Sequence, residues 1–182
     1  MNMRFDDLFE DMAHELQAGQ WQEMRAEAGE LARAEYARRG FLTEIAGAHV
    51  KVHASGHSFT GAVAAVGVGW FGVETATESW MFPDQGGAWV EVLMPNAGVR
   101  ERDMKGSCRR TKAPWKSALR AIGRDRQSVR FILSDGVVGS GLIVAVGADF
   151  IRLQAQVGGT AARSLVLVPL VALVAVSAVS TS

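Results

Sequence analysis

The chain has very little cysteine: Cys108 is the only one among 182 residues. A single thiol forms neither an internal disulfide nor a multi-thiolate zinc site, so a disulfide scaffold and a cysteine zinc cluster are both excluded. A lone thiol also fits a reducing compartment, and we expect a cytoplasmic protein. The first residues, MNMRFDDLFEDM, are acidic where a secretory signal is basic and then apolar, so we expect them to be retained.

Signatures of a reaction are also missing. No serine lies in a G-x-S-x-G nucleophile elbow, and the glycine pairs at 86–87 and 158–159 do not lead into a predicted helix as a phosphate cradle does. His49 and His53 lie on one face of a predicted strand, but four residues of strand separate them by about 13 Å. That distance is too long for one metal ion, and His57 brings no third ligand with it. We therefore predict no enzymatic activity, no cofactor and no metal site.

The chain has no net charge, yet its charges are unevenly distributed. It contains 19 Lys and Arg residues and 19 Asp and Glu residues. Residues 100–130 hold 11 basic and 3 acidic residues, whereas residues 1–40 hold 9 acidic residues and 5 Arg. Such asymmetry indicates a charged partner or an internal neutralising contact.

The basic residues within 100–126 are the strongest candidate for a binding site. The spacing after Pro114 predicts a helix that buries Trp115, Leu119 and Ile122 and leaves cations on its other face. A stripe of this kind attracts phosphate backbones without reading sequence. Alternatively, the stripe neutralises the acidic N-terminal residues of the same chain or of a second copy. The predicted nucleic-acid-binding residues are Arg109, Arg110, Lys112, Lys116, Arg120 and Arg124.

Two apolar groups are candidates for binding a protein partner. Residues 1–40 are predicted to form an amphipathic acidic helix, which either packs on its own chain or binds a partner or a second copy. Residues 80–82 read Trp-Met-Phe, and three large side chains in a row cannot all face one core from a strand. The predicted partner-binding residues are Leu8, Met12, Leu16, Trp80 and Phe82.

Two stretches share glycines and aromatic residues at a constant offset of 80. They read VKVHASGHSFTGAVAAVGVGWFGV from residue 50 and VRFILSDGVVGSGLIVAVGADFIRL from residue 129. Alternating apolar residues predict strands, and a glycine inside a strand indicates a sharp bend. We therefore predict a mainly β fold with helices. A long N-terminal helix (1–40) precedes two tandem five-stranded small barrels (41–100 and 114–182), each preceded by a helix and joined by a basic linker (101–113). The matched pairs are Gly56 and Gly136, Gly61 and Gly141, Gly67 and Gly147, and Trp70 and Phe150.

The stretch LSDGVVGSGLIVAVGADFIRL, residues 133–153, resembles the first conserved block of Sm-like small β-barrels, which have an N-terminal helix and five bent strands. The whole layout also looks like a group of poorly characterised actinobacterial proteins that are sometimes labelled Fis-type transcriptional regulators. This resemblance implies the fold and a role in gene regulation. It does not extend to the RNA-binding positions, because Phe150 and Ile151 follow Asp149 where RNA-binding Sm proteins carry an asparagine.

The C-terminal run SLVLVPLVALVAVSAVSTS has no charge over 19 residues. Its valines and central Pro169 favour two buried strands over a membrane-spanning helix, so we expect no membrane association. The sequence thus predicts a non-enzymatic, nucleic-acid-associated or regulatory factor that contacts phosphate through its basic segment. The alternative is a protein-interaction or scaffold module that acts, and oligomerises, through the N-terminal helix and the barrel surfaces.

Overall fold

The computed structural model describes residues 21–22, 24–93 and 106–178. The chain divides into two compact units, Met1–Gly40 and Phe41–Ser182, which are taken separately below. Half of the described residues lie in strands, and the helices are short.

In the first unit, residues 21–22 are helical and helix α1 covers residues 24–36. The helix ends in a tightened turn, in which the amides of Arg38 and Arg39 donate to the carbonyls of Glu35 and Tyr36 three residues earlier. The predicted long N-terminal helix is therefore wrong for the described residues, where three short helices are found. Leu8, Met12 and Leu16 lie outside the described residues.

The second unit begins with helix α2 (Phe41–Ile45), and its described residues form one sheet of eleven strands. The strands follow the order β10-β9-β8-β7-β11-β4-β3-β2-β1-β5, with β6 alongside β2, and of the pairs between these described strands only β2–β6 is parallel. Helix α3 (Trp115–Arg124) lies between β6 and β7. The strands are β1 (His49–Ala54), β2 (His57–Val68), β3 (Trp70–Glu74), β4 (Ser79–Pro83), β5 (Trp89–Val92), β6 (Arg109–Pro114), β7 (Ser128–Leu133), β8 (Val138–Val146), β9 (Phe150–Val157), β10 (Ser164–Pro169) and β11 (Leu173–Ala178).

The prediction of two separate five-stranded barrels is wrong, because β1–β5 (the first half) and β7–β11 (the second half) belong to a single sheet. Strand β11 joins them: it pairs with β7 on one side and with β4 on the other. Its residues are buried on both faces, which explains why this strand lacks charge. Val174 and Ala175 pack in the core of the first half, whereas Leu173 and Val176 pack in the core of the second.

The last residues of the predicted linker 101–113 lie in a strand. From Arg109 the chain forms β6, which runs parallel to β2 with Ala65 opposite Arg109 and Val66 opposite Arg110. Strand β1 pairs only with the first part of β2, so the second part has a free edge that β6 occupies. The residues of β6 are mostly charged and do not alternate with apolar residues, so the sequence did not predict a strand here. Backbone pairing with β2, and not burial of side chains, forms this strand.

Despite the shared sheet, the two halves keep the local correspondence at an offset of 80. The β2–β3 pairing shifts register between Val63 and Ala65, and the β8–β9 pairing shifts between Ile143 and Ala145. Both long strands are therefore bent by an irregularity at equivalent places.

Among the described residues, no helix is long and apolar enough to span a bilayer. The C-terminal run up to residue 178 forms β10, a short 3-10 turn (Leu170–Ala172) and β11.

Candidate nucleic-acid interface

Three of the predicted basic residues lie on β6. Arg109, Arg110 and Lys112 are all exposed. Successive side chains of a strand project to opposite faces, so Arg110 and Lys112 share one side and Arg109 takes the other. The strand thus presents cations on both sides.

Helix α3 carries the other three predicted residues. Leu119 is fully buried, with Trp115 and Ile122 packed against the same core. Four-residue spacing places Lys116, Arg120 and Arg124 on the remaining face. Since α3 begins directly after β6, the structure brings all six predicted cations into one continuous strand-to-helix segment, which we call the basic segment (Arg109–Arg124).

The join between β6 and α3 is fixed by an aromatic side chain from the first half. The indole Nε1 of Trp70 donates to the carbonyl oxygen of Ala113 at 2.9 Å. The rings of Trp70 and Trp115 lie 6.5 Å apart between centroids. Helix α3 is held at its other side by the second half, because Gly123 lies against Ile143 of β8.

Among the described residues, the cations of the basic segment have few polar partners. Lys116 Nζ donates to the carbonyl oxygen of Ala148 at 3.0 Å. Within the described part of the chain, the other five side chains have no ion pair and no hydrogen bond. These five residues are Arg109, Arg110, Lys112, Arg120 and Arg124.

Arg126 is a further cation close to the basic segment in sequence, and the list of predicted binding residues left it out. It is exposed just after α3, where the backbone turns with a φ of 50°. Its position within the basic residues of 100–126 could have identified it as a candidate binding residue. Residues 106–130 contain eight Lys or Arg residues and one acidic residue, Asp125, which gives a net charge of +7.

The predicted aromatic surface is not at the surface. Trp80 is 3% exposed and Phe82 is fully buried, and both belong to the core of the first half. They alternate inward along β4 while Met81 faces the other side, so the strand pleat accommodates all three large residues. Neither ring is available to a partner in this fold.

Two of the histidines considered as metal ligands, His53 and His57, make side-chain contacts within the sheet. His57 Nε2 donates to the carbonyl oxygen of Gly136 at 3.2 Å, and His53 Nδ1 lies 3.1 Å from Ser58 Oγ. The other ring nitrogen of His53 is 3.6 Å from the Glu91 carboxylate, beyond hydrogen-bonding distance. Across residues 21–22, 24–93 and 106–178, no three His, Cys, Asp or Glu residues are grouped as metal ligands would be.

Compared with known proteins, the chain matches no protein-family model and no curated protein. The resemblance to Sm-like proteins therefore stays a prediction.

Proposed function

We propose that the protein binds nucleic acid without catalysis, through phosphate contacts made by the basic segment. The observation that carries this proposal is the set of five exposed cations without an anionic partner in the described residues. A cation that is not paired within the protein loses no existing contact when it binds phosphate, and each such contact releases counterions.

The interaction we propose is with the backbone and not with the bases. Base recognition on single strands uses exposed aromatic rings as stacking surfaces. Trp115 is the aromatic residue of the basic segment, and it is half-buried against Trp70 and the core of the second half. Binding should consequently tolerate any sequence.

A gel-shift titration with a mixed-sequence DNA duplex, at about 50 mM and about 200 mM salt, tests the proposal. If each of the five cations contacts one phosphate, the plot of log K against log salt has a slope of about −4.5, and affinity falls by about 500-fold between the two salt concentrations. Replacing Arg109, Arg110 and Lys112 with glutamine should make the slope shallower by about 2.7.

The matched control removes the same charge from a different part of the chain. Arg25, Arg33 and Arg38 are exposed residues of the first unit, and their replacement with glutamine should leave the slope unchanged. Equal losses in the two triple variants would contradict the proposal, because binding would then follow total charge. Wild-type protein without measurable affinity at the lower salt would also overturn it.

Protein binding through α1 is a second candidate, favoured by one observation. Met24 and Leu31 are exposed large apolar residues on this helix, seven residues apart and therefore on one face. Replacing both with glutamate should abolish any association that depends on α1 without changing the melting of the second unit. Sedimentation velocity measures this, and unchanged association in the double variant would exclude α1.

A further inference from the structure

Three polar side chains form a row across β7, β8 and β9. Arg130 lies opposite Ser140, and Ser140 lies opposite Gln156. Residues directly opposite on antiparallel strands project to the same face of the sheet, so these side chains share one surface. It is the outer face of the second half, because Arg130 and Ser140 are exposed while the neighbouring Phe131 points into the core.

The row and the loop between β9 and β10 together line a cleft of about 530 Å³. Gly159, Thr160 and Ala161 are the loop residues of the lining. Two hydrogen bonds fix this loop: Gln156 Nε2 donates to the carbonyl oxygen of Ala161 at 2.7 Å, and Thr160 Oγ1 donates to that of Val157 at 2.9 Å. The cleft is therefore formed before any ligand binds, and its volume is in the range of small-molecule sites.

Several hydrogen-bond donors in the cleft are unused. Nη1 of Arg130 donates to the Glu78 carboxylate, and within the described part of the chain the guanidinium makes no other hydrogen bond. A guanidinium has five N–H donors, so most of them remain for a ligand. The hydroxyl of Ser140 and the backbone N–H of Gly159 likewise have no partner among the described residues.

The charges around the cleft favour a ligand with a single negative charge. Arg130 is the one charged residue among those that line the cleft, and its planar guanidinium suits a carboxylate or a phosphate. The Glu78 carboxylate beside it already offsets much of the positive charge. A phosphate monoester brings about two negative charges near neutral pH, so it would be repelled more strongly than a carboxylate.

We propose that this cleft is a binding site for a small hydroxylated carboxylic acid. The ligand's carboxylate pairs with Arg130, and its hydroxyl groups bond to Ser140, to the N–H of Gly159 and to Oε1 of Gln156. That oxygen remains an acceptor because the amide nitrogen of the same side chain is taken by Ala161. None of the lining residues belongs to the basic segment, so the inference goes beyond nucleic-acid binding and does not rest on it.

Contacts from the first half hold Arg130 in place at the cleft. Glu78, just before β4, binds its guanidinium, and the ring of Trp80 lies under it with 5.4 Å between the guanidinium carbon and the ring centroid. A guanidinium held in this way loses little conformational entropy when a ligand binds. Glu78 also competes with the ligand's carboxylate for the same donors, so removing its charge should increase affinity.

Titration of the isotope-labelled full chain with sodium gluconate, followed by NMR, tests the proposal. Gluconate combines one carboxylate with a chain of hydroxyl groups. The backbone amide signals of Ser140, Gln156 and Gly159 should shift and saturate. Sorbitol, which has the hydroxyl groups but no carboxylate, should leave them unchanged, and sodium phosphate at matched ionic strength should bind more weakly. Signals that gluconate leaves in place, or that sorbitol or phosphate shifts as effectively, would overturn the proposal.

Two substitutions that break the same ion pair should have opposite effects on binding. Arg130→Gln should weaken gluconate binding by about 10- to 100-fold, because it removes a charged hydrogen-bond donor. Glu78→Gln should strengthen binding, because it removes the competing carboxylate. Weaker binding in both variants would overturn the proposal, since the pair would then act only by maintaining the shape of the cleft. The control Arg152→Gln removes a cation from the same face of β9 outside the lining and should leave the affinity unchanged. A loss there equal to that of Arg130→Gln would show an effect of net charge alone and contradict the assigned site.

A third variant locates the ligand without altering any charge. Ser140→Leu places a larger apolar side chain in the exposed lining and should abolish gluconate binding while Arg130 and Glu78 remain. Its salt slope in the gel-shift titration should equal that of the wild type, because the basic segment is intact. Gluconate binding at wild-type affinity in Ser140→Leu would place the ligand elsewhere and overturn the proposal. Failure of DNA binding in the wild type would leave this result unaffected, so the two proposals can fail independently.

Discussion

Gly61 and Gly141, 80 residues apart, each lie against a backbone carbonyl group of the third strand in their own half of the sheet. A Cβ atom on Gly61 would overlap the carbonyl oxygen of Glu74, and one on Gly141 would overlap the carbonyl oxygen of Gln154. Glu74 and Gln154 are themselves 80 residues apart. In both halves the long second strand can thus approach the third strand closely only where it has no side chain.

Substitution of either glycine should therefore destabilise the fold to a similar extent. Gly61→Ala and Gly141→Ala each force a methyl group against backbone, and we expect each to lower the free energy of unfolding by about 1–3 kcal/mol. Urea denaturation followed by circular dichroism measures this. Gly106→Ala is the control, because its Cβ would make only ordinary van der Waals contact. A large loss for one glycine and none for the other would show that the two bends are not equivalent.

Alternation along the sequence predicted the inward faces of the first strand of each half. Val50 and Val52 are buried as expected, and so are Val129 and Phe131. The pattern could not show that Ile132, on the opposite face of β7, is also buried, because that burial depends on the core of the first half.

The joining of the halves was not predictable for a related reason. An uninterrupted apolar run such as Leu173–Val176 indicates burial on both faces, but it does not specify which strand lies alongside. The pairing of β11 with β4 joins residues almost 100 positions apart, and no local signal encodes it. The exposure of the basic residues, in contrast, follows from their charge and from the helical spacing of α3.

The hydrogen bond from Trp70 should contribute measurably to stability. Trp70→Phe keeps an aromatic ring in this buried place but leaves the carbonyl oxygen of Ala113 without its donor. We expect a loss of about 0.5–1.5 kcal/mol from the hydrogen bond and a further loss from the cavity that the smaller ring leaves, with faster hydrogen exchange at the start of α3. The control Trp21→Phe changes an exposed indole of the first unit and should have no such effect. Unchanged exchange in α3 would mean that the indole does not anchor the basic segment.

Arg130 and Glu78 form an ion pair between the two halves, and Arg130 also lies over the ring of Trp80, 5.4 Å from its centroid. Both charged side chains are partly exposed, so we expect a modest coupling of about 0.2–1 kcal/mol. A double-mutant cycle with Arg130→Gln and Glu78→Gln measures it through urea denaturation. The coupling should weaken in high salt, because salt screens partly exposed charges. Additive single effects at low salt would show that the pair contributes nothing.

Substitutions on the two faces of α3 should have different effects: those on the buried face should lower stability, and those on the exposed face should weaken phosphate binding. Leu119 is fully buried in the core of the second half, and Leu119→Ala should lower the free energy of unfolding by about 2–5 kcal/mol. Arg120 is exposed on the other face, and Arg120→Gln should change stability by less than about 0.5 kcal/mol. In the gel-shift titration Arg120→Gln should have the larger effect of the two substitutions. It removes a phosphate contact and should make the salt slope shallower by about 0.9. Folded Leu119→Ala protein, assayed well below its melting temperature, should keep the wild-type slope. A stability loss in Arg120→Gln that matches that of Leu119→Ala would instead show that the arginine neutralises an acidic group of the protein itself.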